Sequence, residues 1–88
     1  MASANSDQSA EMEQITFTTS GLTADFESKC KGCILHATED VYISFDRPVQ
    51  TGDFFLKGDT MFYFPIEFTQ ISALQVSSSG TLYIIGIR

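Results

Sequence analysis

The chain has 88 residues, of which five are basic and eleven acidic, so its net charge at pH 7 is −6. This length allows one domain at most, and the scattered basic residues form no cationic patch, so neither direct nucleic-acid binding nor docking on an anionic membrane is expected. The longest apolar runs cover only a few residues, and we therefore expect no membrane-spanning helix.

The first fourteen residues, MASANSDQSAEMEQ, contain no Phe, Tyr, Ile, Val or Leu. Such a segment cannot bury enough apolar surface to offset the conformational entropy lost on ordering. We therefore predict a flexible acidic tail over residues 1–14 and a single folded domain over residues 15–88.

The predicted domain consists of short β segments separated by turn signals, and no segment has helical periodicity over a useful length. Three pairs of consecutive segments flank short turns, at 39–40, 57–59 and 77–80. The pairs around 39–40 and 57–59 are predicted to form hairpins. The expected strands lie at 14–19, 24–27, 32–38, 41–45, 52–56, 60–64, 68–76 and 81–87.

This pattern predicts an all-β fold, a small antiparallel β-sandwich of roughly seven or eight short strands, with the jelly roll as one such topology. Alternation along the strands assigns one set of apolar residues to the space between the two sheets. The predicted core comprises Ile15, Phe17, Ile34, Val41, Ile43, Phe45, Leu74, Leu82 and Ile84.

The last predicted strand, 81–87, is apolar on both faces, because Leu82 and Ile84 project to one side while Tyr83, Ile85 and Ile87 project to the other. The chain also has eight Phe and three Tyr but no Trp. A domain of about 74 residues with this many rings is expected to hide some of them against a second copy of itself. The candidate interface residues are Phe54, Phe62, Tyr63, Phe64, Tyr83, Ile85 and Ile87.

Cys30 and Cys33 form a C-x-x-C motif, and His36 follows three residues later. Three interpretations are open: reduced cysteines at packed positions, a local disulfide, or a metal or redox site. A structural zinc site needs four ligands, and in a strand Cys33 and His36 face opposite sides. The βαβ context of a thioredoxin-type dithiol is also missing. We therefore expect no metal and no cofactor, and keep a small metal or redox protein as a second alternative.

The sequence contains no set of convergent titratable groups and no activated nucleophile, so we expect a protein that is not an enzyme. Five acids, Glu39, Asp40, Asp46, Asp53 and Asp59, fall at predicted turns, where Asp caps backbone N–H groups. The rings of 54–68 make a carbohydrate- or host-surface-binding module the first alternative. The absence of Trp favours packing for these rings instead.

Three stretches, CKGCILHATEDVYISFD, LKGDTMFYFPIEFTQISAL and SGTLYIIGIR, together cover about residues 30–87. They resemble small structural proteins of tailed bacteriophages, in which a V-Y-I/V-S-F-D strand follows a short apolar strand and F-x-x-I-x-A-L/I precedes S-G-T-L-x-I/V-x. In such proteins an apolar residue is expected where Cys33 stands.

The resemblance implies a β-sandwich or jelly roll that forms or decorates the virion, as a capsid decoration, head–tail or tail accessory protein assembled in the host cytoplasm. It implies a homo-oligomer, with other virion proteins as further partners, and brings no catalytic residues.

Overall fold

The computed structural model describes residues 10–88, which form eight β-strands and no helix. Within this range no helix has the length and hydrophobicity needed to cross a membrane. The predicted all-β fold is therefore confirmed. The strands are β1 (Ala10–Phe17), β2 (Leu22–Cys30), β3 (Gly32–Ala37), β4 (Val41–Phe45), β5 (Phe54–Leu56), β6 (Met61–Phe64), β7 (Phe68–Gln75) and β8 (Gly80–Ile87).

The strands form two four-stranded antiparallel sheets. The first sheet has the order β1-β8-β3-β6 and the second has the order β2-β7-β4-β5. The first strand pairs with the last, the second with the second-to-last, and so on inward. The pairs are β1 with β8, β2 with β7, β3 with β6 and β4 with β5. The chain is thus wound as one long folded hairpin, which is the topology of a jelly roll.

The two predicted hairpins are wrong, because β3 and β4 lie in different sheets, as do β5 and β6. The Ser/Gly turn between β7 and β8 also crosses between the sheets. A short turn reverses the chain equally well within a sheet or between two sheets. Side chains of the turns hold these crossings together: Thr38 Oγ1 accepts the N–H of Thr81 at 2.9 Å, and the Asp40 carboxylate accepts the N–H of Gly58 at 2.8 Å. Gly58 also lies so close to the Glu39 backbone that a Cβ there would sit 2.7 Å from it.

The boundary predicted for the tail is also wrong, because β1 begins at Ala10 and its residues 10–14 pair in register with β8. A strand ladder is held by backbone hydrogen bonds, which do not require apolar side chains. The side chain of Glu11 adds a charged hydrogen bond to Arg88, just after β8. The remaining part of the predicted tail, residues 1–9, lies outside the described residues.

The core fills the space between the two sheets and contains most of the residues predicted for it. Phe45 is partly buried and packs against this core. The predicted members that are buried are Ile15, Phe17, Val41, Ile43, Leu82 and Ile84.

Ile34 and Leu74 were predicted in the core but are only half-buried. In β3 the residues that face inward are Cys33, Leu35 and Ala37, each 0% exposed, which leaves Ile34 on the opposite face. Both faces of this strand are apolar, and alternation alone therefore does not reveal which one is buried.

Candidate interaction surface

The outer face of the first sheet carries two rows of side chains that run across all four strands. The register places Met12 beside Ile85, Ile85 beside Ile34, and Ile34 beside Tyr63. The second row follows the same strands. We call these eight residues the first-sheet face: Met12, Ile85, Ile34 and Tyr63 in the first row, and Gln14, Tyr83, His36 and Met61 in the second.

The first-sheet face is uncharged, largely apolar and open. None of its residues is Asp, Glu, Lys or Arg, and six of the eight are exposed. Met12 and Met61 are 75% and 71% exposed, and Tyr63 is 58% exposed. No described segment lies over them. A contiguous apolar patch of this kind is characteristic of a contact surface.

Two local features of this face are a stacked ring pair and a hollow. Near its centre, the rings of His36 and Tyr83 are stacked with centroids 6.3 Å apart and planes inclined by 20°. At the β1–β8 end is a hollow of about 420 Å³, lined by Met12, Glu13, Gln14, Tyr83, Ile84 and Ile85. At the β6 end, the side chains of Met61 and Tyr63 are exposed.

The seven residues predicted as one interface fall in two different places. Tyr63, Tyr83 and Ile85 belong to the first-sheet face, and the half-buried Ile87 lies beyond the first row on β8. Phe54, Phe62 and Phe64 lie elsewhere, at the side of the sandwich where the edge strands β5 and β6 meet. Sequence reasoning missed Met12 because it assigned that residue to the tail.

Phe54, Phe62 and Phe64 form a compact group that we call the aromatic edge. Their ring centroids are 5.2 to 6.2 Å apart, and Phe64 continues inward to Phe45 at 5.6 Å. From there the contacts extend to Phe68 at 5.4 Å. Phe54 and Phe62 are 48% and 43% exposed. These rings therefore close the open side of the sandwich, a role within one chain that the predicted interface did not include.

Cys30 and Cys33 are both fully buried, and their thiols are free. Burial, together with the neighbouring Cys30, raises the pKa of Cys33 to about 12, and burial likewise raises the pKa of Cys30. Protonated, buried thiols are poor nucleophiles and poor metal ligands. His36 lies on the opposite face of β3, and within residues 10–88 no group of three His, Cys, Asp or Glu is placed to hold a metal ion.

Several charged groups of the described chain join neighbouring segments. The Arg88 guanidinium donates a hydrogen bond to the Glu11 carboxylate, and this bond lowers the pKa of Glu11. The N–H groups of Thr69 and Gln70 donate to Asp46 at 2.8 and 3.0 Å and lower the pKa of that carboxyl. These pairs stabilise strand ends and leave the face free of charge.

Comparison with known proteins found no matching family model, no similar curated protein and no similar solved structure. The functional argument therefore depends on the surfaces described above.

Proposed function

We propose that this protein is a non-enzymatic structural subunit that associates with copies of itself through the first-sheet face. The observation that carries the proposal is the uncharged, apolar and uncovered character of this face across all four strands. Solvation of such a surface is unfavourable by roughly 25 cal/mol for each Å² of apolar area, and association removes that area from water.

The chemistry around the only histidine also favours a structural role. His36 stacks on Tyr83, and its cross-strand neighbour on the other side is Met61. A catalytic imidazole needs an orienting acceptor and a nearby reacting group. The residues beside His36 on the face supply an aromatic ring and a thioether instead.

The narrower form of the proposal places this subunit in the virion of a tailed bacteriophage, assembled in the host cytoplasm with other virion proteins. Its support is the resemblance over about residues 30–87 and the jelly-roll topology, which viral capsid domains use among other proteins. Since one fold serves many functions, gene order provides the test. Neighbouring head, portal or tail genes support the narrower form, and metabolic neighbours contradict it.

Self-association is tested by sedimentation velocity at micromolar concentration, with Ile85→Lys as the variant. Ile85 is 37% exposed near the centre of the face, so a lysine there is tolerated by the folded chain but unfavourable in an apolar interface. We expect the wild-type protein to be oligomeric and Ile85→Lys to be monomeric.

The matched control is Phe55→Lys, because Phe55 is 46% exposed and faces outward from the second sheet. This variant is expected to keep the wild-type oligomeric state. A monomeric wild-type protein contradicts the proposal, and equal dissociation by both lysines contradicts the choice of surface.

A carbohydrate-binding module is the second candidate, because Phe62 and Tyr63 are both exposed, at 43% and 58%. Exposed rings can stack on sugar rings. A glycan array probed with wild-type protein, Phe62→Ala and Tyr63→Ala tests it. Binding that is lost in either variant favours this candidate, whereas absence of binding by the wild-type protein removes it.

A further inference from the structure

The two halves of strand β1 are attached to the sandwich in different ways. The second half is anchored in the core by Ile15 and Phe17, which are 4% and 0% exposed. In the first half, residues 10–14, none of the side chains is buried, and the inward positions of the same alternation are taken by Glu11 and Glu13. The backbone ladder with β8 therefore holds the first half without support from apolar packing in the core.

The carboxylate of Glu11 joins this first half to two other segments. It accepts a hydrogen bond from the Arg88 guanidinium, just after β8. The backbone N–H of Glu27 in β2 donates to its two oxygens at 3.2 and 3.4 Å. Glu27 lies in the stretch of β2 between Asp25 and Cys30 where the register against β7 shifts. Glu11 thus connects the first sheet to an irregular part of the second sheet.

We propose that the contacts of Glu11 form an acid-sensitive switch, in which protonation of its carboxylate releases residues 10–14 from β8 while the rest of the sandwich stays folded. Over this stretch β8 then becomes an edge strand with unpaired N–H and C=O groups. The switch does not depend on the proposed self-association.

The groups around Glu11 determine the direction of the response. The charged and titratable groups that face it are Arg88, Glu13 on its own strand, and Glu27 and Cys30 on β2. The hydrogen bond from Arg88 lowers the pKa of Glu11 from its ordinary value of 4.5. The contribution of this charged contact is therefore present above the ordinary value and is lost as the pH falls through the lowered pKa. Cys30 stays neutral throughout, because burial raises its pKa.

The hydrogen-bond pattern of β8 provides reporters for the release. The Thr81 carbonyl accepts an N–H from the residue just after β3 at 2.9 Å, so the backbone groups of Thr81 point towards the β3 side. In an antiparallel sheet, successive residues of a strand direct their N–H and C=O groups to opposite neighbours. The N–H groups of Tyr83 and Ile85 therefore also pair with β3, whereas those of Ile84 and Gly86 pair with the first half of β1.

Amide hydrogen exchange measures the release residue by residue, as protection factors that correct for the intrinsic effect of pH. The wild-type protein is compared at about pH 6 and about pH 3, on either side of the expected titration. At the lower pH we expect the N–H groups of Ile84 and Gly86 to lose protection by about tenfold or more, because a hydrogen bond to a charged group is lost. Those of Tyr83 and Ile85 are expected to keep their protection.

Glu11→Gln removes the charge and nearly preserves the shape of the side chain. At about pH 6 this variant is expected to show already reduced protection of Ile84 and Gly86, with no further loss at lower pH. Glu13→Gln is the matched control, because it removes one negative charge from the same face of the same strand. The control is expected to respond to pH as the wild-type protein does.

Three outcomes would overturn the switch. Unchanged protection of Ile84 and Gly86 in the acidified wild-type protein would show that residues 10–14 stay paired. Equal loss at Ile84 and Tyr83 would show that the sandwich unfolds as a whole. A wild-type response to pH in Glu11→Gln, or its loss in Glu13→Gln, would assign the titration to a different carboxyl.

Discussion

The outer faces of the two sheets are treated differently by the chain. Over the second sheet lies the loop 46–53, whose Val49 is only 9% exposed and would touch a Cβ at Gly21 at 3.0 Å. Ser72 Oγ on that sheet donates to the Arg47 carbonyl at 3.2 Å. Over the first sheet no described segment lies, and its most exposed side chain, Met12, is 75% exposed.

Loop length explains the difference. The loop 46–53 has eight residues, whereas each of the other described connections has four or fewer. Only the long loop can double back over a sheet. The part of the second sheet around Ser72 is thus covered within one chain, whereas no described segment covers the outer face of the first sheet. Two contacts to Asp53 stabilise this covering loop. Arg47 forms an ion pair with Asp53 at 2.7 Å, and the Gln50 N–H donates a hydrogen bond to the same carboxylate at 2.7 Å.

The largest expected effect concerns the core that both sheets share. Phe68 is fully buried between the rings of Phe26 and Phe45, with centroids at 5.2 and 5.4 Å. Phe68→Ala is expected to lower the free energy of unfolding by about 3–5 kcal/mol, as measured by urea denaturation. Phe55→Ala, on the exposed side of the second sheet, is expected to change it by about 0.5 kcal/mol. A similar loss in both variants would contradict this assignment of the core.

The next effect separates the two outer faces directly. Val49 is a buried residue of the covering loop. Val49→Asp therefore buries a carboxylate between the loop and the sheet and is expected to lower the free energy of unfolding by about 1–3 kcal/mol. Ile85→Asp, on the first-sheet face, is expected to change the stability of the dilute monomer by only about 0.5 kcal/mol while abolishing association. Equal destabilisation of the monomer by both variants would show that the two faces are covered alike.

A smaller effect distinguishes two serines that are register partners on the second sheet. Ser44 and Ser72 are both buried, at 4% and 2% exposed. Ser72 Oγ bonds to Thr23 Oγ1 at 2.9 Å as well as to Arg47, whereas Ser44 Oγ has no partner among residues 10–88. Ser72→Ala is expected to lower the free energy of unfolding by about 1–2 kcal/mol and Ser44→Ala to leave it unchanged within about 0.5 kcal/mol. Thermal denaturation of the pair measures this, and a larger loss for Ser44→Ala would contradict the hydrogen-bond assignment.

The smallest effect is the pH dependence of stability, to which both sheets contribute. The folded-state pKa values of Glu11 and Asp46 are lowered from their ordinary values of 4.5 and 3.8. A lowered carboxyl pKa gives stability that is present above the ordinary value and is lost as the pH falls below it. The free energy of unfolding is therefore expected to decrease between about pH 5 and pH 3, and Glu11→Gln and Asp46→Asn are each expected to flatten that decrease. An unchanged slope in both variants would contradict these assignments.

Alternation along single strands predicted several faces correctly. In β4, Val41 and Ile43 face inward as expected, and in β8 Leu82 and Ile84 are buried while Tyr83 and Ile85 are exposed. In β4 the prediction succeeds because the opposite face carries Tyr42 and Ser44 and is therefore less apolar. Three residues of the predicted interface, Tyr63, Tyr83 and Ile85, lie together on the first-sheet face, and their role in an interface stays a prediction.

The predictions that the structure changed have a different cause, because each position depends on contacts with residues distant in sequence. Ile34 faces outward because Cys33 packs opposite Gly86 of β8, a contact that no local pattern contains. The prediction grouped Phe54, Phe62 and Phe64 with residues of the first-sheet face, because the sequence does not show that β5 and β6 are edge strands.

The amino-acid sequence by itself determined that this chain is an all-β domain with short strands, polar turns and more apolar surface than one core needs. Those properties follow from local alternation, turn residues and composition, which act over a few positions. Only the tertiary structure decided which turns cross between the sheets, which sheet is covered by the chain's own loop, and which face stays open. The reason is physical: covering a face requires a segment long enough to reach it, and that depends on how all eight strands are arranged.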